Sequence, residues 1–262
     1  MPPSLLIPAA VCATSILLCW ALSVATKEYS WVDRIWSVLP PVYAWIYAEG
    51  AGFSPRAMLM ATLITGWGAR LTFNFWRKGG YAKGGEDYRW AVLRQKLPRW
   101  AWPIFNLGFI SGYQNLLILG FTLPAWYAAS ATAPLGLPDA AVAGVFLALL
   151  VGETVADQQQ WTFQQDKRAG RTHGEPFLCT GLFRYSRHPN FFCEQGQWWA
   201  LTLFPLAAGL SWLHPTLAGA VLLTLLFDGS VRFTESISAS KYPTYKDYQR
   251  RTSRQIPWAS RA

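Results

Sequence analysis

From Ser4 to Thr26 the chain carries no charged residue, and the apolar residues beyond it also come in blocks rather than at helical or strand-like intervals. A bilayer core demands about 20 consecutive apolar residues per spanning helix, whereas a soluble domain spaces its apolar residues periodically. Further runs lie near 35–48, 57–76, 100–127, 140–156, 196–209 and 212–228. Pro40, Pro41, Pro205 and Pro215 interrupt or border the shorter ones. Only 14% of the 262 residues are charged, against about 25% in ordinary soluble domains, so lipid is the expected solvent. The expected fold is all-α: a multi-pass transmembrane bundle of about seven helices, folded as a single domain over 1–262. The first run is preceded by "MPPS", without the basic residues that open a signal peptide, and is expected to be retained.

Orientation follows from Lys and Arg, which stay on the cytoplasmic side in short loops. Residues 77–99 hold Arg77, Lys78, Lys83, Arg89, Arg94, Lys96 and Arg99, and 157–195 hold Lys167, Arg168, Arg171, Arg184 and Arg187, whereas 128–139 hold none. With seven helices the basic loops fall on one side, giving an outer N-terminus and a cytoplasmic C-terminus. The net charge of +9 is then an orientation signal and an attraction to anionic lipid, not a nucleic-acid footprint. Four cysteines without a CxxC pair, and three histidines (His173, His188, His214), indicate neither a disulfide framework nor a metal site.

Two stretches concentrate groups with chemistry. In "GETVADQQQWTFQQDKRAG" an apolar helix acquires Glu153, Asp157 and Gln160 on one face, followed by Lys167 and Arg168. A carboxylate at the end of a membrane helix is costly unless paired, solvated or ligand-bound. In "GLFRYSRHPNFFCE" Arg184, Arg187 and His188 supply donors, Pro189 fixes the backbone, and Asn190 and Glu194 share a face of the next helix. Phosphate there would gain from a helix N-terminus and from the arginines. Arginines gripping lipid headgroups would explain Arg184 and Arg187, but not a glutamate followed by Gln195 and Gln197.

"GLFRYSRHPNFFCE" resembles the Gly-Leu-x-x-Tyr-x-Arg-His-Pro-Asn-Tyr-x-x-Glu signature of steroid 5α-reductase-like membrane oxidoreductases. "YPTYKDYQRRTSRQIPW" is similar to the tail that closes them, and "SWVDRIWSVLP" and "GEDYRW" look like motifs of their bacterial branch. The resemblance implies NADPH held in a cytoplasmic-side cavity of a seven-helix bundle in the membrane, which in a bacterium is the cytoplasmic membrane. By motif, Asn190 and Glu194 would contact the nicotinamide side, Arg168 and Arg232 the phosphates, and Asp157 a polar part of the cofactor, with Tyr185 and Tyr248 inside the same two signatures. Residues 140–262 would form the cofactor region and 1–130 the substrate helices. The second apolar segment lacks the Gln-Glu pair of human-type relatives, and the third offers Arg70 and Asn74 in place of a tyrosine.

The expected reaction is NADPH-dependent reduction of a conjugated carbon–carbon double bond in a steroid or other lipid enone. It needs a donor for the developing enolate oxygen and a proton for the α carbon. Tyr88, Asp33, Glu86 and Gln114 are the candidates: a phenol both donates and protonates, and an amide inside an apolar helix either bonds a neighbouring helix or contacts ligand. The expected partners are this hydrophobic substrate and membrane lipids, and a monomer is left open. Competing readings are an S-adenosylmethionine-dependent methyltransferase of a lipid or prenyl substrate, and a lipid-binding protein without catalysis.

Overall fold

The computed structural model describes residues 4–171 and 174–259; His173 lies outside them. All named elements among the described residues are helical, and the only extended pairing there is an isolated parallel bridge between Ser186 and Ser253. The helices are α1 (Leu6–Thr26), α2 (Trp31–Ile35), α3 (Leu39–Gly50), α4 (Pro55–Arg77), α5 (Tyr88–Lys96) and α6 (Ala101–Phe105). A π-helical stretch, Asn106–Tyr113, leads into α7 (Gln114–Ala128), then come α8 (Leu137–Arg168), a 3₁₀ turn (Gly181–Arg184), α9 (Pro189–Leu201), α10 (Phe204–Ala207), α11 (Leu217–Lys241) and α12 (Tyr245–Arg251).

Among the described residues, four helical runs are long and apolar enough to cross a membrane: Leu6–Thr26, Ala101–Ala128, Leu137–Arg168 and Leu217–Lys241. Three of the expected runs take other forms. α4 has the length, at 23 residues, but carries Arg56, Arg70 and Arg77. α3 has 12 residues and begins at Leu39, with Pro40 and Pro41 in its first turn, where the missing N–H groups would have no intrahelical acceptor anyway. The run near 196–209 is split at residues 202–203 between α9 and α10. α8 in turn continues to Arg168, past the end of the apolar run expected over 140–156, and keeps Asp157 buried on one face.

The chain forms two compact units, with boundaries inside α8, α9 and α11. One comprises residues up to Ala143 together with Leu201–Leu222, and the other Gly144–Ala200 with Leu223 onward. Residues 201–222 belong to the N-terminal unit. Its core is filled by Trp67, Tyr43, Tyr47, Ile64, Ile118 and Phe121, all fully buried. Two glycines let backbones approach there: a Cβ on Gly68 would sit 2.5 Å from the Ser37 carbonyl oxygen, and one on Gly219 would sit 2.2 Å from the Gly120 carbonyl carbon. Small residues at crossings are how helices in lipid, which lack a hydrophobic drive to associate, gain contact.

In the C-terminal unit α8 and α9 run antiparallel. A Cβ on Gly196 would meet Leu149, and one turn along, a Cβ on Gly152 would meet the Cys193 Sγ at 3.0 Å. This close packing brings the polar faces of the two helices into register.

Candidate functional site

The polar rows of α8 and α9, each on the single face its spacing sets, face one another. Glu153 accepts a hydrogen bond from the Gln197 Nε2 at 2.7 Å, and both residues are buried, while the Gln197 Oε1 is buried without a partner. One turn outward, Asp157 and Glu194 are also buried. Further out, Gln160 and Asn190 are half-buried, and neither side chain forms a hydrogen bond among the described residues. Gln159 closes this end, its Oε1 accepting the Leu182 N–H at 2.9 Å. Residues at positions 153, 157, 160 and 190, 194, 197 therefore make a carboxylate- and amide-lined strip that opens from a buried floor.

The cations around the strip divide into engaged and unengaged. Arg187 is buried and fully used: its Nε and Nη2 reach the Glu235 carboxylate at 2.6 and 3.1 Å, and its Nη1 donates to the carbonyls of Gln249, at 2.9 Å, and Thr252. His188 and Gln249 complete the shell of Glu235 at 3.1 and 2.9 Å. Arg187 is thus a brace for the tail, with its backbone N–H on the Ser253 carbonyl and the neighbouring Ser186 hydroxyl on the Gln255 carbonyl. Tyr248 is a brace too, its buried hydroxyl donating to the Phe183 carbonyl and its ring stacked on Phe177 at 5.3 Å. Burial pushes its phenol well above the usual tyrosine range.

Lys167 holds the Pro176 carbonyl and the Tyr242 hydroxyl, and that contact lowers the Tyr242 phenol below its ordinary value. Arg232 pairs with Asp228 at 2.7 Å. Arg168 and Arg184 are different: both are exposed, and neither makes an ion pair or hydrogen bond among the described residues. Tyr185 is 46% exposed, and its carbonyl receives the Trp258 N–H.

The four residues considered for proton and oxyanion chemistry lie in the N-terminal unit. Here the two shorter motifs meet: Ser30 accepts the Asp87 N–H at 3.0 Å, Glu86 accepts the Tyr29 N–H at 2.5 Å, and the Trp90 Nε1 donates to Asp33 at 2.9 Å. Tyr88, by contrast, is 54% exposed. Gln114 is buried at the end of the π-helical stretch, its Nε2 without a hydrogen-bond acceptor. Burial, and next the Asp87 carboxylate, push the Asp33 carboxyl above the usual carboxylate range.

An acid with a raised folded pKa favours the fold at low pH, and loses that contribution as pH rises through the raised value. Asp33→Asn, which keeps an acceptor for Trp90, is expected to raise the unfolding temperature by a few degrees at pH 7–8. Near pH 4, where aspartate protonates in either state, the gain should vanish; thermal melts followed by circular dichroism at the two pH values check this.

Sequence reasoning passed over Glu235, Gln249 and Thr252. Glu235 lies past the apolar part of its helix, seven residues after Asp228 and three after Arg232, so nothing local singles it out. The carbonyls that hold Arg187 have no side-chain signature at all.

An all-helical chain with membrane-length helices and a carboxylate, amide and guanidinium site defines the broad class. The chain belongs to the family described as "Protein of unknown function (DUF1295)", whose pattern matches residues 19–252. It is also similar to an uncharacterised protein of the fission yeast Schizosaccharomyces pombe, at 38% identity over 258 residues, covering 91% of this chain and 75% of that one. No solved structure matches it.

Proposed function

We propose that the protein is an NADPH-dependent membrane reductase of a conjugated double bond in a hydrophobic substrate, related to the steroid 5α-reductase-like oxidoreductases its motifs resemble. The observation that carries this reading is the strip on α8 and α9 flanked by Arg168 and Arg184, two cations with no carboxylate of their own. A dinucleotide needs that combination: guanidinium groups for phosphates, and amide and carboxylate groups for the carboxamide and ribose hydroxyls. Asn190 and Gln160 have side-chain hydrogen-bonding capacity to spare, and Gln197 has a buried oxygen to spare. The donor set fits the cofactor. When bound, it would supply the hydride.

Arg168 and Arg184, with Arg232 after release from Asp228, hold phosphates in this reading. Asn190, Glu194 and Asp157 orient the remainder, and Arg187, His188, Tyr248 and Lys167 keep the tail and the motif in place. Gln114 offers its Nε2 to the substrate oxygen, and Asp33 holds a proton. The same reading takes α3, α4 and the α9–α10 pair as shorter spans beside the four long ones, giving seven, with the C-terminus in the cytoplasm.

Calorimetry of the detergent-purified protein with NADPH, NADH and S-adenosylmethionine tests it. Micromolar NADPH binding is expected, weakened about 10–100-fold by Arg168→Ala and by Glu194→Gln, since a hydrogen bond to a charged group contributes about 1.5–3 kcal/mol. Unchanged NADPH affinity in both variants overturns the site; binding of S-adenosylmethionine alone overturns the reaction.

A further inference from the structure

The N-terminal unit contains a second cluster, built around Glu86, a sequence candidate to which the proposed reductase assigns no role. Tyr29, Glu86, Trp90, Ala91, Arg94 and Gln95 line a cavity of about 290 Å³. Its level in the bilayer follows from the chain: Tyr29 comes just after α1 ends at Thr26, and Gln95 just before the membrane-length run begins at Ala101. The same margin exposes Trp100 (74%) and Ile104 (66%) near Lys96 and Arg99. Aromatic and basic side chains mixed in this way belong at headgroup depth.

The cavity walls carry opposite charges that attract across it without closing an ion pair among the described residues. Arg94 lies over the Tyr29 ring at 5.4 Å and the Trp102 ring at 6.0 Å, and forms no ion pair among the described residues. Rings hold its guanidinium while leaving its N–H donors available. Glu86 spends one oxygen on the Tyr29 N–H and keeps the other. Burial pushes its carboxyl up, so a cation beside it relieves a cost.

A simple anion entering here would be repelled by Glu86, and a simple cation by Arg94. A group carrying both charges a short distance apart satisfies both walls. We propose that this cavity binds the phosphoethanolamine headgroup of a membrane phospholipid, phosphate on Arg94 and ammonium on Glu86. A primary ammonium has three protons to donate to a carboxylate, and a trimethylammonium has none. The surrounding basic loop draws anionic lipid by charge alone. The cavity adds what that attraction lacks, a preference for a headgroup of zero net charge.

The test uses the full chain, delipidated in detergent, with native mass spectrometry as the readout. Short-chain phosphatidylethanolamine, phosphatidylcholine, phosphatidylglycerol and free phosphoethanolamine are titrated separately. The expected result is one phosphatidylethanolamine retained at lower concentration than either other lipid, with retention weakened about tenfold by Arg94→Gln. Glu86→Gln should erase the preference over phosphatidylglycerol. Ala91→Trp, which fills the cavity without touching either charge, should abolish retention while helix content by circular dichroism is unchanged. Tighter phosphatidylcholine or phosphatidylglycerol binding, or retention unaffected by both Arg94→Gln and Ala91→Trp, overturns the proposal. Free phosphoethanolamine binding as tightly as the lipid overturns the membrane source and assigns the cavity to a soluble compound.

Discussion

Glu235→Ala is expected to destabilise the protein by about 3–5 kcal/mol, because it strands the Arg187 guanidinium in a buried site without its counter-charge. The two groups meet through paired contacts of 2.6 and 3.1 Å, with side chains only 7% and 6% exposed. Two carbonyls of the tail would still accept from Arg187, but dipoles replace a full charge poorly in a dry site. His188 and Gln249 would lose their acceptor at the same time. The damage should therefore spread from α11 to the tail. Thermal unfolding followed by tryptophan fluorescence gives the size of the loss, and brief trypsin treatment gives its location, as faster cleavage at Arg250 and Arg251 than in the parent protein. A variant that melts normally and resists trypsin would show that the ion pair contributes nothing to tail docking. Replacing both partners, Arg187→Met with Glu235→Leu, should recover much of the loss, since an apolar pair of similar volume strands no charge.

The same cluster shows which parts of this molecule are written plainly in its sequence. The long runs were legible because lipid permits only one solution, a helix that satisfies its own backbone; Leu6–Thr26 and the apolar part of α8, up to residue 156, follow almost directly from composition. The polar stripes on α8 and α9 were each legible because period 3.6 places 153, 157 and 160 on one face and 190 and 194 on another, but that the two stripes meet was not. What each arginine does was not legible. Arg184 and Arg187 are three residues apart in one motif, yet one is exposed and unpaired and the other is sealed among a carboxylate and two carbonyls. Partners 48 to 65 residues away decide that difference, and local pattern contains no record of them. The π-helical stretch before Gln114 was equally silent, since its residues suit an α-helix just as well. The two short motifs did hold more than they showed singly: Ser30 with Asp87, and Asp33 with Trp90, explain why they occur together.

Arg56→Ala is the second substitution expected to cost about 3–5 kcal/mol, and here the argument runs from charge placement. Arg56 sits in the first turn of α4, where the helix dipole disfavours a cation, and it is only 3% exposed. Asp139 sits in the first turn of α8, where the dipole favours it, and is 1% exposed. The Arg56 Nε and Nη2 reach the Asp139 carboxylate at 2.7 and 3.0 Å, and its remaining donors cover the carbonyls of Ala133 and Pro134 at 2.8 and 2.9 Å. Asp139 also accepts the Gly136 N–H at 3.0 Å, so one pair fixes the connection between α7 and α8 to the start of α4. That connection contains no Lys or Arg, which is why the orientation rule reads it as outer; the charge that neutralises Asp139 comes from elsewhere in the chain. A double-mutant cycle with Arg56→Ala, Asp139→Ala and the double variant, followed by thermal unfolding in detergent, separates the pair from its surroundings. Each single change should cost nearly as much as both together, because either one leaves the other charge buried. Additive losses would mean instead that Arg56 acts through the two loop carbonyls and Asp139 through the helix start, with little coupling between them.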